Sequence, residues 1–210
     1  MNVLAIGAHF DDVEIGCGGS LAKHVHAGDN VVVYVATKSG YKDADERVVR
    51  SDETAYAEGK KAIVETLGAK LICGSFKTLE LEYSDEVFCE LIKILKSNNI
   101  DLIYTHWYGD IHRDHAVLSK ATMHVARHIS RVLMYRSNWY DSTVAFNGNF
   151  YVDISRFYKQ KEQAIRCHES EFNRIGVKWL DYFRNEAVNL GHKINADYAE
   201  VFEVVKWLEQ

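Results

Sequence analysis

Four short apolar runs constrain this chain more than any other feature: "VLAIGA" at 3–8, "VVVYVAT" at 31–37, "KLICG" at 70–74 and "DLIYTH" at 101–106. They are too short for core helices and read as strands: the first suits a strand buried on both faces, the second is a buried strand rich in β-branched residues, and the other two read as a third and a fourth strand. Between them the pattern turns helical. Residues 13–27 carry a loose helical spacing closed by "GDN" at 28–30. A polar loop at 38–47 leads into a long predicted helix from about 46 to 67, ending at "LGA". Val87, Leu91, Ile94 and Leu95 share one face of a helix over 85–97, and 114–128 reads as another. "RVLMYR" at 131–136 and "NFYVDIS" at 149–155 look like further strands; helix then dominates to about 191, and periodicity does not decide between strand and helix for 198–207. Alternating buried strands and amphipathic helices imply parallel βαβ units. The expected fold is therefore α/β: a single-domain, Rossmann-like sheet, mostly parallel, with helices on both faces, spanning 1–210. No repeat, low-complexity tract or linker divides it. Such sheets bind ligands beyond the carboxyl ends of their strands.

Composition narrows the partners. With 210 residues and 47% hydrophobic content, one domain can bury a sizeable core. A net charge of −5 argues against nucleic acid. Cys17, Cys73, Cys89 and Cys167 are scattered singly, as expected of reduced thiols in the cytoplasm. No stretch approaches the roughly 18 apolar residues of a membrane span, and the N-terminus lacks a basic leader, so a soluble cytoplasmic protein is expected. A homo-oligomer is compatible with all of this.

Two polar clusters sit at expected strand ends. In "AHFDD", His9 and Asp12 lie three apart in a strand-to-helix turn; in "GDIHRDH", His112, Asp114 and His115 follow the strand ending at His106. A single His-x-x-Asp is common in solvated loops. Two clusters at one edge of a ligand-binding sheet are not, and imidazoles with a carboxylate suit zinc, whose catalytic sites use three protein ligands and one open position. Other motifs fail. "GCGGS" at 16–20 lacks the third glycine of a dinucleotide fingerprint. His124 and His128 are spaced as in a zinc-protease helix, but Val125 stands where the glutamate belongs. No nucleophile elbow or P-loop appears.

"AHFDDVEIGCGGSLAK" together with "HRDH" resembles the LmbE-like, or PIG-L-like, zinc-dependent N-deacetylase family, whose motifs are A-H-P-D-D-x-E with a following G-G, and H-P-D-H. The similarity extends to "RSDETAYAEGKKAIVETLG" at 50–68, "KEQAIRCHESE" at 161–171 and "AEVF" at 199–202. Phe10 and Arg113 replace the usual prolines and Glu171 the usual glutamine, none of them a ligand or acid–base position.

The resemblance implies that His9, Asp12 and His115 hold one zinc ion, with ferrous iron as an alternative. It implies Asp11 as general base, His112 as oxyanion stabiliser or general acid, and Asp114 as the group orienting a histidine. Arg50, Glu53 and His168 are the implied substrate-binding residues, and Arg113, standing where the family has proline, adds a cation beside the site as a fourth substrate-binding candidate. The implied reaction is removal of the N-acetyl group from an amino sugar or sugar conjugate, releasing acetate. Lys42, Arg47, Arg50 and Arg113, if they face the crevice, favour a charged conjugate such as a nucleotide-linked sugar. Two other readings are a zinc amidase acting on a different small N-acylated metabolite and a non-catalytic metal- or ligand-binding protein. Trp107, Tyr108, Trp139 and Tyr140 supply aromatic faces that could stack on a sugar ring.

Overall fold

The computed structural model describes residues 1–209. The apolar runs form β1 (Asn2–Gly7), β2 (Asn30–Thr37), β5 (Lys70–Phe76), β6 (Leu102–His106) and β7 (Arg131–Tyr135), all parallel, in the spatial order β5-β2-β1-β6-β7. Two antiparallel strands complete the sheet, β9 (Ala199–Trp207) on β7 and β8 (Phe150–Asp153) on β9. The segment 198–207, ambiguous by periodicity, is thus a strand whose partners decide its state.

Period-two alternation sorts the β1 side chains between two layers. Val3 and Ala5 join Val13, Cys17 and Leu21 of α1 (Asp12–His26) on one face. Leu4 and Ile6 face α3 (Asp85–Asn98) and α4 (Arg113–Val125) on the other, through Val87, Leu91 and Leu118. A third cluster joins Ile15 of α1, Ile165 of α5 (Tyr158–Arg166) and Trp179, Leu180 and Phe183 of α7 (Val177–His192). Between α5 and α7 lies α6 (Glu169–Ile175). Among the described residues no helix is long and apolar enough to cross a membrane.

The long helix expected from residue 46 is corrected. Residues 41–50 form a small hairpin, β3 (Tyr41–Lys42) with β4 (Val48–Arg50), and α2 (Asp52–Lys60) begins only after Ser51, whose Oγ accepts the Thr54 N–H at 3.1 Å. A capping serine and two β-branched valines outweigh the helical pattern downstream. The helix continues as a π-wound turn, Lys61–Thr66.

Chain order reverses between β1 and β6: from β1 the chain proceeds outward to β2 and β5, then returns to β6. The crevice at that switch point is where ligands bind in open α/β sheets, and the turns after β1 and β6 carry "HFDD" and "GDIHRDH".

A candidate metal centre at the switch point

The turn after β1 is held tightly. Thr37 Oγ1 donates to the Ala8 carbonyl at 2.8 Å, and the Phe10 N–H donates to Ser39 Oγ at 3.0 Å. At its end Asp11 adopts φ 113°, a region unusual for a residue with a side chain. Its carboxylate has no hydrogen-bond partner among the described residues and lines a cavity of about 320 Å³. Burial and the adjacent Asp12 carboxylate push Asp11 up to about 7, against the pull of His168 and Arg50.

Two histidines turn toward Asp12, each anchored from behind. His115 Nδ1 lies 2.9 Å from Asp110, and His9 Nε2 lies 3.0 Å from Asp114. Both carboxylates are themselves fixed: Asn138 donates to both Asp110 oxygens at 2.8 and 2.7 Å, and the Leu79 N–H donates to Asp114 at 2.7 Å. A carboxylate can only accept, so the rear ring nitrogens carry the hydrogens. The front nitrogens, His9 Nδ1 and His115 Nε2, then face each other at 3.2 Å with lone pairs, and the Asp12 oxygens lie 3.4 and 3.1 Å from them. With both rings neutral, two lone pairs and a carboxylate converge on one point, an arrangement that a cation satisfies. Imidazole rings backed by carboxylates are how proteins orient metal-binding histidines, and two nitrogens with one oxygen form a donor set that zinc accepts. A proton competes with a cation for the same place between the rings and the carboxylate. Burial works against ionising either partner, yet His115 and His106 hold Asp12 well below the usual carboxylate range, and Asp12 and Asp110 raise His115 to about 10.

His112 packs edge-on against His9 and stacks on His115 at 4.4 Å. His9, His112 and His115 can each bring one ring nitrogen within 4.8 Å of the others, and an Asp12 oxygen lies within the same distance of nitrogens of His106 and His115. His106 is nevertheless unsuited to be a ligand, because its Nε2 accepts the Ala8 N–H at 3.0 Å while its ring stacks on His115 at 4.0 Å. Burial, with the nearby His115 and His9, lowers His112 to about 4, so its ring is neutral near pH 7.

The residues expected around a substrate divide. Arg50 is buried at the cavity wall, but its charge is spent within the protein: Nη2 lies 3.3 Å from Glu58, Nη1 lies 3.8 Å from Glu171, and Nη1 also donates to the Phe10 carbonyl at 3.2 Å. Arg50 Nη2 further donates to Nδ1 of His168 at 3.2 Å, and His168 Nε2 meets Glu14 at 2.9 Å, with both His168 and Glu14 fully buried. His168 is thus a packed link behind Asp11 and not part of the cavity lining. Glu53 and Arg113 are exposed and do not line the cavity; nor do Lys42 and Arg47. Arg50 and Glu53, both inside the helix expected from about 46 to 67, do not share one, since Arg50 ends β4 and Glu53 lies in the first turn of α2. The other cavity cation, Arg174, is paired with Glu171, which also accepts the Tyr41 hydroxyl at 2.7 Å. Tyr41, Trp139, Tyr140, Trp179 and Phe183 complete the wall. Trp107 is buried against Phe146 instead, and Tyr108 is exposed outside the cavity.

Sequence reading missed Asp110, Ser137, Asn138, Glu14, Glu58 and Glu171 as parts of this network. Ser137 donates to Asp12 at 2.9 Å from the turn after β7, a third strand end at the same edge. That position was the available signal for Ser137 and Asn138, and Asp110 sits inside the "GDIHRDH" cluster itself.

Fold and site together define a Rossmann-like protein with a histidine–carboxylate cluster that could hold a metal, an adjacent acid with no hydrogen-bond partner among the described residues, and an aromatic-walled cavity at the switch point of the sheet. Residues 4–126 match the family model described as PIG-L, GlcNAc-PI de-N-acetylase, and the chain belongs to that family. It is 28% identical over 184 residues to the uncharacterized deacetylase YaiS of Escherichia coli K12, covering 80% of this chain and 90% of that protein. It is 29% identical over 216 residues to the diacetylchitobiose deacetylase of Thermococcus kodakarensis, covering 94% and 80%. Among solved structures, the N,N'-diacetylchitobiose deacetylase of Pyrococcus horikoshii superposes with a TM-score of 0.82 at 25% identity, covering 97% of this chain and 83% of that one.

Proposed function

We propose that this chain is a cytoplasmic, metal-dependent deacetylase, one domain over 1–210, that removes the N-acetyl group from a small, uncharged amino sugar or amino-sugar oligosaccharide. The observation that carries this reading is the convergence of His9, His115 and Asp12 beside the unpaired Asp11 at the floor of an aromatic-walled cavity. Relatives named for the deacetylation of diacetylchitobiose support the sugar class.

His9, Asp12 and His115 would hold the divalent ion, zinc or alternatively ferrous iron. When bound there, such an ion polarises an amide carbonyl and makes water acidic near neutral pH. Asp11 takes the proton from the attacking water as its oxygen bonds to the carbonyl carbon. His112, neutral and next to the centre, donates its ring N–H to the carbonyl oxygen as negative charge gathers there. As the C–N bond breaks, Asp11 passes its proton to the leaving amine, and acetate and the free amino sugar result. Asp114 and Asp110 hold the two ligand histidines in the tautomer that presents a lone pair. Tyr41, Trp139 and Tyr140 offer flat faces to a sugar ring.

The cavity's charges argue against a phosphate-bearing conjugate. Arg50 and Arg174 are paired with carboxylates, and Lys42, Arg47 and Arg113 stand outside the cavity. The test is acetate release from N,N'-diacetylchitobiose and from N-acetylglucosamine by zinc-loaded protein, with and without chelator. Chelator-sensitive release supports the reading. No release from either sugar, alongside turnover of other N-acyl compounds, would replace the substrate class.

A further inference from the structure

The stretch "GCGGS" at 16–20 touches no substrate-facing part of the site and forms the middle of α1. A Cβ at Gly16 would lie 2.1 Å from the Tyr135 ring, and one at Gly19 would lie 2.7 Å from Ile154, so glycine here lets neighbouring segments press directly on the helix. Into that contact come two buried charges from elsewhere, Lys161 of α5 and Glu200 of β9, paired at 2.5 Å. Lys161 Nζ donates to the Ile15 carbonyl at 2.6 Å. Glu200 accepts the N–H of Gly19 at 2.9 Å and, on its other oxygen, the N–H of Ser20 at 2.8 Å and the Ser20 hydroxyl at 2.6 Å.

The Ile15 carbonyl and the Gly19 N–H are the two ends of a single i→i−4 step. A helix interior satisfies such groups with its own ladder, so α1 does not need the ion pair for hydrogen bonding. What the pair adds is attachment. It fixes α1, just beyond Asp12, to the helix that leads into His168 and to β9, the strand between β7 and β8. On the same turn of α1, Glu14 meets His168 at 2.9 Å.

We propose that Lys161 and Glu200 are positioning residues: by clamping the first turns of α1 to α5 and β9, they hold Asp12 against His9 and His115 and hold Asp11 at the cavity floor. This rests on the metal-site reading above, and the primary readout therefore needs no substrate.

The discriminating variant is Lys161→Met/Glu200→Met. Apolar replacement of a whole buried ion pair is often neutral for stability, and α1 can close its ladder unaided, so the double variant separates positioning from folding. Zinc affinity is measured by competition with a chromogenic chelator, alongside the thermal midpoint and, on an N-acetyl sugar, kcat and KM. The expected result is a midpoint near wild type, with zinc affinity and kcat each lowered about 10- to 100-fold, the usual worth of groups that orient a metal's ligands. KM should stay within about threefold, because uniform substrate binding is untouched. A folded double variant with wild-type zinc affinity and kcat overturns the proposal. If the double variant does not fold, Glu200→Gln decides on the same readouts: a fall in zinc affinity supports positioning, and wild-type values overturn it. Wild-type protein that binds zinc but turns over no N-acetyl sugar refutes the substrate reading and leaves this inference to the affinity data. Wild-type protein that binds no zinc refutes both.

Discussion

Asparagine in place of Asp11 removes a proton acceptor and changes little else. Position 11 has φ 113°, a region that asparagine and aspartate tolerate better than other side chains, so Asp11→Asn adds no backbone strain where Asp11→Ala would. Among the described residues nothing donates to the Asp11 carboxylate, so the amide orphans no buried group. Burial and the Asp12 charge disfavour ionised Asp11, and a neutral amide escapes both, so the thermal midpoint should equal or exceed that of wild type. Zinc content should be unchanged, because the converging atoms belong to His9, Asp12 and His115. The rate should fall by about 10²–10⁴, the usual worth of a positioned general base, which is about 2.7–5.4 kcal/mol on the barrier at about 1.36 kcal/mol per decade. The assay is acetate release at saturating N-acetyl sugar, with zinc content and thermal midpoint measured on the same preparation. A kcat within about tenfold of wild type at full zinc occupancy would place the base elsewhere. An emptied metal site would mean that the roles of the two adjacent acids are exchanged.

Asp12→Ala should lose zinc and activity together, as metal analysis of the purified variant will record. Arg50→Met leaves Glu58 short of its cation, while Glu171 keeps Arg174 and Tyr41. The expected loss is about 3 kcal/mol, the low end for breaking a buried pair, seen as a fall of about 6–12 °C in the thermal midpoint. Glu53→Ala and Arg113→Ala remove exposed side chains outside the cavity, so KM should stay within about twofold; a tenfold rise in KM for either would restore it to the substrate contacts.

The parallel sheet was legible because each of its central strands is buried on both faces and so wrote an unbroken apolar run into the sequence. The two polar clusters were legible because they interrupt those runs abruptly, at His9 and after His106. What escaped was long-range pairing. Arg50 and Glu53 look like helical neighbours in sequence, yet a valine pair and a capping serine end a strand between them. Arg50's partners Glu58 and Glu171 come from two different helices, and no local spacing announces that meeting. The apparent basic crevice failed for the same reason: sequence counts charges, and only packing reveals which are already neutralised. The strand at 199–207 was undecidable because its state depends on docking between β7 and β8.

The central claim is that one metal ion sits between His9 Nδ1, His115 Nε2 and Asp12. X-ray absorption at the zinc edge on zinc-loaded wild-type protein and on His115→Ala tests it most directly. The expected result is a first shell of nitrogen and oxygen at about 2.0–2.2 Å, with two imidazoles in wild type and zinc largely lost from His115→Ala. A sulfur shell at about 2.3 Å, or equal zinc in both proteins, would contradict it.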